Sequence, residues 1–563
     1  DDAPMILAVP SVSAAELGDA ALAAAVIALV AVGAGRFAAA ASTGVRVARL
    51  ERMLGVPWAP AAFGLLASLA AWYVGGSLHM LPVIHDEWAY LLQAKIFAGG
   101  HLVAPARPLP EFFQQMYVFV TPFLGAKYPP GHSLVLAPGV ALGMPALGPI
   151  ALAGLSGALL FALARRIVNV WIALLAWSIW LTTPATLNWY GSYFSQVTTA
   201  TCFLAGWWAL SRYRDTSSRA AFALFGAAVG LIAITRPLTA VAFALPSGLV
   251  ALALVRRRAR WWDLALPLAA SLAVLSVMAL QNAAATGSWR ESPLMLYTQL
   301  YTPFDLPGFG YHFTGTTLPM PPDQEWLRQH FIRLRAEHSL GALPAILAAR
   351  VGWIVRHMWG GWRLALLPLA VLGLVALPVE AMLALVTSAL CLGVMIIHSH
   401  DPQWTNYYLE LFAPLAFVTA LGLWRALAWI AARASRAQRV PAAAPAAATV
   451  LAAVFLAWPP LTVFSMAREG HALAERSHRE WLARTAMLPR PALVFVRYNY
   501  RHHNTNISYV LNTEPDLRAA PVVAVYDRGA ENAQLRQLFP GRHAFLFDEL
   551  ANAFVPFAPG VTP

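Results

Sequence analysis

The chain has 563 residues, of which 59% are hydrophobic and 12% are charged, and its mean hydropathy is +0.58. A soluble globular domain carries roughly 25% charged residues, so this composition excludes an ordinary soluble enzyme. The formal net charge of +12 comes from 39 basic and 27 acidic residues, and Lys95 and Lys127 are the only lysines. In a membrane protein an arginine excess of this kind reflects topology and anionic lipids, so we expect membrane lipids as partners and no nucleic acid.

Apolar segments long enough to cross a bilayer recur along most of the chain. A spanning helix needs about 20 mostly apolar residues, and the sequence predicts about twelve such helices. They lie near residues 18–40, 58–81, 146–164, 168–186, 194–211, 219–235, 237–255, 263–281, 361–378, 381–397, 409–430 and 444–464. The predicted fold class is therefore an all-α polytopic membrane protein with a small C-terminal α/β domain, whose strands are described below.

Arginines collect in alternate short loops, and this asymmetry predicts the orientation of the chain. Sixteen arginines fall in these loops, which contain only four acidic residues. The loops are therefore expected to be cytoplasmic, which leaves both termini and three long segments, 82–145, 282–360 and 465–563, facing outward. The stretch 440–458 could instead be a linker that turns the C-terminal domain inward, but the basic loop before it favours a span.

The sequence predicts three units. Residues 1–17 form an outward-facing N-terminal tail, residues 18–464 form the transmembrane domain with outer loops 82–145 and 282–360, and residues 465–563 form a soluble α/β domain.

The last hundred residues differ from the rest in pattern. We expect an amphipathic helix over 466–487, a helix around Ala530–Phe539, and strands at Ala492–Tyr498, Pro521–Tyr526 and His543–Asp548. This alternation is typical of a partly parallel sheet. The domain has no glycine-rich phosphate loop and no nucleophile motif, so we expect a docking or structural role.

Acids and bases of the first outer loop are the first candidates for chemistry. Asp86 and Glu87 directly follow a spanning helix, and the segment Lys127-Tyr128-Pro-Pro-Gly-His132 comes later in the same loop. A carboxylate here can accept a proton from an acceptor hydroxyl, and nearby cations can neutralise a phosphate leaving group. This pattern suits transfer from an anionic lipid-linked donor. Alternatively, the acids only cap a helix, and Lys127 and His132 are solvated or snorkelling side chains.

The turn Thr235-Arg236-Pro237 joins two spanning segments on the outer side. An arginine at membrane depth is costly unless it pairs with a carboxylate or a phosphate. Arg236 is therefore a candidate ligand of the donor phosphate, with an ordinary snorkelling arginine as the alternative.

Two other outer segments give weaker signals. His398, His400 and Asp401 could hold a metal ion, but their spacing is short and unspecific, and we favour a polar interfacial loop. The segment 281–310 is expected to be an irregular loop that could cover a cavity and that contains no obvious acid or base.

In their order along the chain these motifs resemble bacterial type C glycosyltransferases, and more closely the branch that contains protein O-mannosyltransferases and the aminoarabinose transferases of lipid A. The motifs are the Asp86-Glu87 pair, the Lys127–His132 segment, Arg165-Arg166 after the next span, and the Thr235–Pro237 turn. The resemblance covers residues 58–430 in layout, and it is the order of the motifs that is specific.

The resemblance implies a multi-pass enzyme of the bacterial inner (plasma) membrane that depends on a polyprenyl-phosphate sugar. Such an enzyme moves one hexose or pentose, with inversion, to a hydroxyl of a cell-envelope glycan, lipid or protein at the periplasmic face. The implied site residues are Asp86 as catalytic base, Glu87 as its acidic neighbour, Lys127 and Arg236 as ligands of the lipid phosphate, and Tyr128 and His132 as helpers. The resemblance implies no metal ligand, and it leaves open whether a divalent ion takes part in the reaction.

The chain departs from the family pattern in two places. An extra helix, 18–40, precedes the one that leads into the Asp86 loop, and residues 187–196 contain no acidic residue, which leaves catalysis to Asp86 alone.

Two alternative functions are a polyprenyl-linked glycan transporter or flippase, and a non-catalytic scaffold of an envelope polysaccharide complex. A transporter is expected to place ionisable groups along the middle of its spans, whereas here they cluster on one face.

Overall fold

The computed structural model of the protein describes residues 9–37, 41–310, 313, 315–434, 442–457, 459–499 and 508–557. Residues 1–8 of the predicted N-terminal tail, and Arg436 and Arg439 of a predicted cytoplasmic loop, lie outside the described residues.

Helices make up most of the chain. The first twelve are α1 (Ala14–Phe37), α2 (Ala41–Gly55), α3 (Ala59–Gly75), α4 (His85–Ala98), α5 (Gly131–Ala141), α6 (Leu147–Ile167), α7 (Val170–Leu181), α8 (Pro184–Tyr190), α9 (Gln196–Thr216), α10 (Arg219–Ala233), α11 (Pro237–Arg257) and α12 (Ala265–Thr286). The others are α13 (Pro293–Tyr301), α14 (Glu325–Glu337), α15 (Leu343–Trp359), α16 (Leu367–Leu374), α17 (Val379–Met395), α18 (Phe412–Ala434), α19 (Ala443–Ala457), α20 (Pro459–Ala486) and α21 (Asn532–Leu538).

Each of the twelve predicted spans coincides with at least one helix, and the predicted fold class is confirmed. Within the described ranges, five helices are long and apolar enough to cross a membrane alone, and three sharply bent helix pairs raise that number to as many as eight. The span predicted over 168–186 is one of these pairs, bent by 67° between α7 and α8. The break falls at Thr183 because the residue before a proline avoids helical dihedral angles.

Small residues let neighbouring helices of the bundle approach closely, as is common in membrane proteins. On α18, a Cβ atom added to Gly422 would lie 1.7 Å from the carbonyl oxygen of Leu369 on α16. On α16, a Cβ added to Gly373 would lie 2.0 Å from the carbonyl oxygen of Val418. The crossing of α16 and α18 therefore depends on the absence of side chains at both positions.

The first outer loop contains α4, α5 and a small antiparallel sheet. Its strands are β1 (Ala104–Pro105), β2 (Val118–Phe119) and β3 (Phe123–Ala126), in the order β1-β3-β2. The sheet was not predicted, because its strands are only two to four residues long. It positions Lys127, which directly follows β3.

The second outer segment is more regular than predicted. The expectation of an irregular loop over 281–310 is wrong in part, because α12 continues to Thr286 and α13 occupies Pro293–Tyr301. Ser292 caps α13 by accepting a hydrogen bond from the Met295 amide, and Pro293 occupies the first turn, where no amide donor is required.

The C-terminal domain has a four-stranded sheet of β4 (Ala492–Arg497), β5 (Val522–Tyr526), β6 (His543–Asp548) and β7 (Ala553–Pro556), in the order β5-β4-β6-β7. Strand β4 is parallel to β5 and β6, and β7 is antiparallel to β6. The three predicted strands and the partly parallel sheet are confirmed, whereas β7 was missed. The predicted domain boundary at 464/465 falls inside α20, so this helix connects the bundle to the sheet.

The C-terminal sheet and the first outer loop share one hydrophobic core. Phe495 and Val525 of the sheet belong to the same buried cluster as Phe112 and Met116 of the loop. A salt bridge also joins the loop to the domain, since Lys95 Nζ lies 2.5 Å from Glu514 Oε1. The domain is therefore packed directly on the loop that carries Asp86.

We expect Gly422→Ala to destabilise the bundle, because overpacking typically costs about 1–3 kcal/mol. Gly393→Ala on α17 is the matched control, since a Cβ there meets no atom within 4 Å and alanine favours a helix by about 1 kcal/mol. Thermal unfolding in detergent measures both. Equal midpoints for the two variants would contradict the close crossing of α16 and α18.

Candidate active site

Glu87 caps the N-terminal end of α4. Its side chain is 1% exposed, and its Oε2 accepts hydrogen bonds from the amides of Val83 (2.6 Å) and Ile84 (3.1 Å). Its Oε1 accepts one from the amide of Tyr193 (2.7 Å), in the turn between α8 and α9. Burial raises the pKa of the Glu87 carboxyl, although these three amides act against the rise. The carboxylate thus satisfies orphan donors at a helix start and has little room for a substrate.

Asp86, the neighbouring residue, stays accessible. It is half-buried, and its Oδ1 accepts a hydrogen bond of 2.5 Å from the hydroxyl of Tyr128. The Tyr128 ring in turn packs on Tyr90, with the ring centroids 4.5 Å apart. The carboxylate is therefore held in one orientation by an aromatic neighbour and keeps its second oxygen for another partner.

Lys127 lies in a box of three tyrosines. It is 7% exposed, and its Nζ is 3.9 Å from the ring centroid of Tyr117, 5.1 Å from that of Tyr297 and 5.2 Å from that of Tyr128. Burial lowers the pKa of Lys127, while Asp305 and Asp86 raise it. Among the described residues no carboxylate lies within 4.0 Å of this ammonium, so cation–π contacts stabilise it and its donors are available to an anion.

Asp305 is the acid that sequence reasoning missed. It ends a short 3-10 turn, Pro303–Asp305, inside the segment expected to contain no obvious acid or base. Burial raises the pKa of Asp305 to about 6, Lys127 and Arg335 oppose the rise, and Asp86 adds to it. The one sequence signal was an acid in an otherwise apolar, proline-containing turn.

Arg236 approaches from the turn between α10 and α11. Its guanidinium carbon lies 5.0 Å from the ring centroid of Tyr407, and its buried Nε has no hydrogen-bond partner among the described residues. The Lys127–His132 segment and the Thr235–Pro237 turn meet here, since the Gly131 amide donates a hydrogen bond to the carbonyl oxygen of Ile234 at 2.8 Å. A Cβ at Gly131 would lie 2.2 Å from Thr235 Oγ1, so this contact requires glycine.

His132 is adjacent to the site but enclosed. It is fully buried, with Nδ1 2.8 Å from Thr198 Oγ1 and Nε2 2.8 Å from the carbonyl oxygen of Tyr193. Its ring meets Tyr90 edge-on at 4.9 Å. Both ring nitrogens have protein partners, and this arrangement supports the aromatic wall behind Asp86.

The His398–Asp401 loop lies at another side of the candidate site. Both ring nitrogens of His400 have protein partners, the carbonyl oxygen of Asp401 at 2.8 Å and the hydroxyl of Tyr408 at 2.7 Å. Burial, reinforced by Arg236 and Arg350, lowers the pKa of His398 to about 3, so this side chain is neutral. In the part of the chain that the structure describes, no three His, Cys, Asp or Glu side chains group closely enough to hold a metal ion.

The site as a whole combines two half-buried carboxylates with two cations and several tyrosines. Asp86 and Lys127 come from the first outer loop, Arg236 from the α10–α11 turn, and Asp305 from the second outer segment. Such a site can accept a proton at Asp86 and bind an anion at Lys127 and Arg236.

No protein-family model matches the chain, and no curated protein matches it. Among solved structures, the chain is similar to ArnT from Cupriavidus metallidurans bound to undecaprenyl phosphate, with 14% identity, a TM-score of 0.48, and coverage of 87% of this chain and 93% of that one. The apo state of that ArnT gives 14% identity, a TM-score of 0.48, and coverage of 86% and 92%. The apo oligosaccharyltransferase of Archaeoglobus fulgidus gives 12% identity, a TM-score of 0.35, and coverage of 76% and 58%. All three TM-scores are below 0.5.

We expect Glu87→Gln to lower the thermal unfolding midpoint in detergent and Asp86→Asn to leave it nearly unchanged. The glutamine amide would face a backbone donor, and an unsatisfied buried group costs about 1–3 kcal/mol. Asp86 accepts a single side-chain hydrogen bond, which asparagine can also accept through its carbonyl oxygen. Equal destabilisation by the two substitutions would contradict a capping role that is specific to Glu87.

Proposed function

We propose that this protein is a membrane glycosyltransferase that transfers a single sugar, with inversion, from a polyprenyl-phosphate donor to an acceptor hydroxyl. One observation carries the proposal: a buried lysine, with no carboxylate at ion-pair distance among the residues that the structure describes, lies near an oriented, accessible aspartate. Lys127 suits a phosphate leaving group, and Asp86 suits a general base. The order of the motifs along the chain, which resembles type C glycosyltransferases, supports the same function.

The proposed reaction is a single displacement. Asp86 accepts the proton of the acceptor hydroxyl, the hydroxyl oxygen forms a bond to the anomeric carbon, and the bond from that carbon to the phosphate oxygen breaks. The electron pair leaves with the polyprenyl phosphate, whose added negative charge Lys127 and Arg236 stabilise. Attack opposite to the leaving group inverts the anomeric carbon.

The other predicted site residues take positioning roles in this proposal. Tyr128 orients Asp86 through its hydroxyl, Glu87 fixes the start of α4, and His132 supports Tyr90 from behind. None of these three needs to exchange a proton with the substrate. Catalysis by a single carboxylate agrees with the lack of an acid in residues 187–196.

The membrane side follows from the arginine distribution. The loop arginines predict that the Asp86 loop faces away from the cytoplasm, which in a bacterial inner membrane is the periplasmic side. The donor would then present its phosphate at the outer interface, with its chain in the bilayer and an envelope hydroxyl as acceptor.

The transporter alternative requires ionisable groups along the middle of the spans. Among the described residues of the predicted spans, the buried charges lie instead near span ends: Asp263 precedes α12, Arg363 precedes α16 and Glu410 precedes α18. This distribution favours a transferase over a transporter or flippase, and only a turnover measurement separates it from a non-catalytic scaffold.

We expect Asp86→Asn to abolish turnover while donor binding persists, because a general base contributes about 10²–10⁴-fold to rate. Wild type and variant are incubated in lipid vesicles with a panel of polyprenyl-phosphate sugars and crude envelope acceptor. Released polyprenyl phosphate is quantified by mass spectrometry. Asp516→Asn, an exposed aspartate of the C-terminal domain, is the matched control and should retain wild-type turnover.

Two outcomes would argue against the proposal. If the wild type binds donors but releases polyprenyl phosphate from none of them, the scaffold or transporter class gains support. If Asp86→Asn turns over as fast as the wild type, the transferase can stand but Asp86 is not its base.

Donor affinity should depend on pH through Asp305. As the pH falls from 7.5 to 5 through the Asp305 pKa of about 6, this carboxylate takes up a proton, and a negative charge beside Lys127 is lost. A phosphodiester donor keeps its own charge over this range, so we expect about fivefold tighter binding, equivalent to about 1 kcal/mol of repulsion removed.

Titration calorimetry without acceptor measures this dependence. Asp305→Asn should bind the donor at pH 7.5 as tightly as the wild type does at pH 5 and should lose the pH dependence. Weaker wild-type binding at pH 5, or an unchanged pH dependence in Asp305→Asn, would contradict this role.

A further inference from the structure

A cleft of about 280 Å³ lies far from the candidate active site, at the arginine-rich end of the bundle. Helix α11 begins beside Arg236 and ends at Arg257, which lines the cleft. At a rise of 1.5 Å per residue this length corresponds to about 30 Å. The cleft is therefore a separate feature, and its volume is close to the lower end of the roughly 300–1,000 Å³ of small-molecule sites.

The inner part of the cleft is apolar and is formed by buried side chains. Leu163 of α6, Phe203 of α9 and Phe417 of α18 contribute to it, and each is less than 9% exposed. Helices α11 and α17 form its sides. Within a membrane protein an apolar cleft of this kind suits a hydrocarbon chain.

The mouth of the cleft carries an arginine that has no acidic partner in the described part of the chain. Arg214 contacts Glu380 and lies 2.8 Å from Asp215, so its charge is compensated. Arg257 is exposed at the end of α11, and no carboxylate of the described chain lies within ion-pair distance of it. A cation at the C-terminus of a helix also meets the negative end of the helix dipole, and a phosphate group would complete its charge balance.

Two unpaired donors lie between the mouth and the apolar part. Trp207 and Ser211 are one turn apart on α9, and each is 8% exposed. Neither the indole Nε1 of Trp207 nor the Oγ of Ser211 has a hydrogen-bond partner in the residues that the structure describes. A serine within a helix often donates to the carbonyl four residues earlier, which Ser211 does not do. Buried donors without acceptors are costly, so the cleft suits a ligand that brings acceptors.

Along α9 the lining residues follow a fixed order: Phe203, then Trp207, then Ser211, then Arg214 at the mouth. A glycerophospholipid has the same order of chemistry, with an acyl chain, ester carbonyls and a phosphate. We propose that this cleft binds one anionic glycerophospholipid of the adjacent leaflet, with its phosphate at Arg257, ester carbonyls at Ser211 and Trp207, and an acyl chain against Leu163, Phe203 and Phe417.

Ester carbonyls separate this lipid from the proposed sugar donor. The only acceptors of a polyprenyl phosphate are its phosphate oxygens, so with the phosphate at Arg257 its hydrocarbon chain offers no acceptor to the two buried donors. The proposed lipid site therefore does not rest on the transferase function.

Native mass spectrometry of the full-length protein in detergent tests the proposal. The probes are dioleoylphosphatidylglycerol, zwitterionic dioleoylphosphatidylcholine and undecaprenyl phosphate. We expect one phosphatidylglycerol to be retained in preference to the other two. Arg257→Gln should lower its retention about fivefold, the effect of about one arginine near an anionic lipid.

The matched control is Arg256→Gln, an exposed arginine one position earlier that does not line the cleft, and it should retain the lipid as the wild type does. Ala384→Phe places a ring in the cleft and should also reduce retention. Met382→Phe, on an exposed face of the same helix, should not. Thermal unfolding checks that each variant is folded. The preference of the wild type among the three probes tests the proposal even if a variant does not fold.

Several results would overturn the proposal. They are equal retention of phosphatidylglycerol and phosphatidylcholine, preferential retention of undecaprenyl phosphate, retention of none of the probes, and equal losses in Arg257→Gln and Arg256→Gln. The last result would indicate general surface charge rather than a site.

Discussion

The candidate site depends first on the buried carboxylate of Glu87. By accepting hydrogen bonds from the amides of Val83, Ile84 and Tyr193, it fixes the start of α4 and ties this helix to the turn before α9. Without this carboxylate the two amides at the start of α4 and the amide of Tyr193 would be costly to bury. Because Asp86 precedes Glu87 in the same turn, the position of Asp86 is fixed together with that of Glu87. Tyr193 also donates its hydroxyl to the carbonyl of Met80, so the chain before α4 is held as well.

The C-terminal domain reinforces the same region from the other side. Glu475 of α20 accepts a hydrogen bond of 2.7 Å from the Leu81 amide, and it also pairs with His471 and Arg479. The ring of His478 packs near Trp88 of α4, with centroids 5.5 Å apart. Together with the core shared between the sheet and the first outer loop, these contacts make the domain a structural support of the Asp86 loop. This agrees with its lack of a phosphate loop or a nucleophile motif.

Charge is distributed unequally between the two ends of the bundle. At the outer end, Lys127 and Arg236 contact tyrosine rings, and Asp86 and Asp305 are close enough to raise the pKa of Lys127. At the opposite end, arginines mostly pair with Asp215, Asp263 and Glu380 or remain exposed. Buried cations that lack a carboxylate at ion-pair distance are costly, and so they mark places where a ligand can complete the charge balance. This argument supports the donor-phosphate site at Lys127, whereas the lipid cleft rests on the exposed Arg257 and on the buried donors of Trp207 and Ser211.

The sequence by itself determined the membrane fold, the helical segments, the parallel strands of the C-terminal sheet and the motifs that carry Asp86, Lys127 and Arg236. Apolar periodicity and arginine placement are local properties, and they can be read over a window of about 20 residues. Only the tertiary structure decided that Glu87 caps a helix, that His132 is enclosed, and that Asp305 joins the site. It also brought Tyr297 to Tyr117, 180 residues away, to complete the box around Lys127. These features depend on contacts between distant outer loops, which no local pattern specifies.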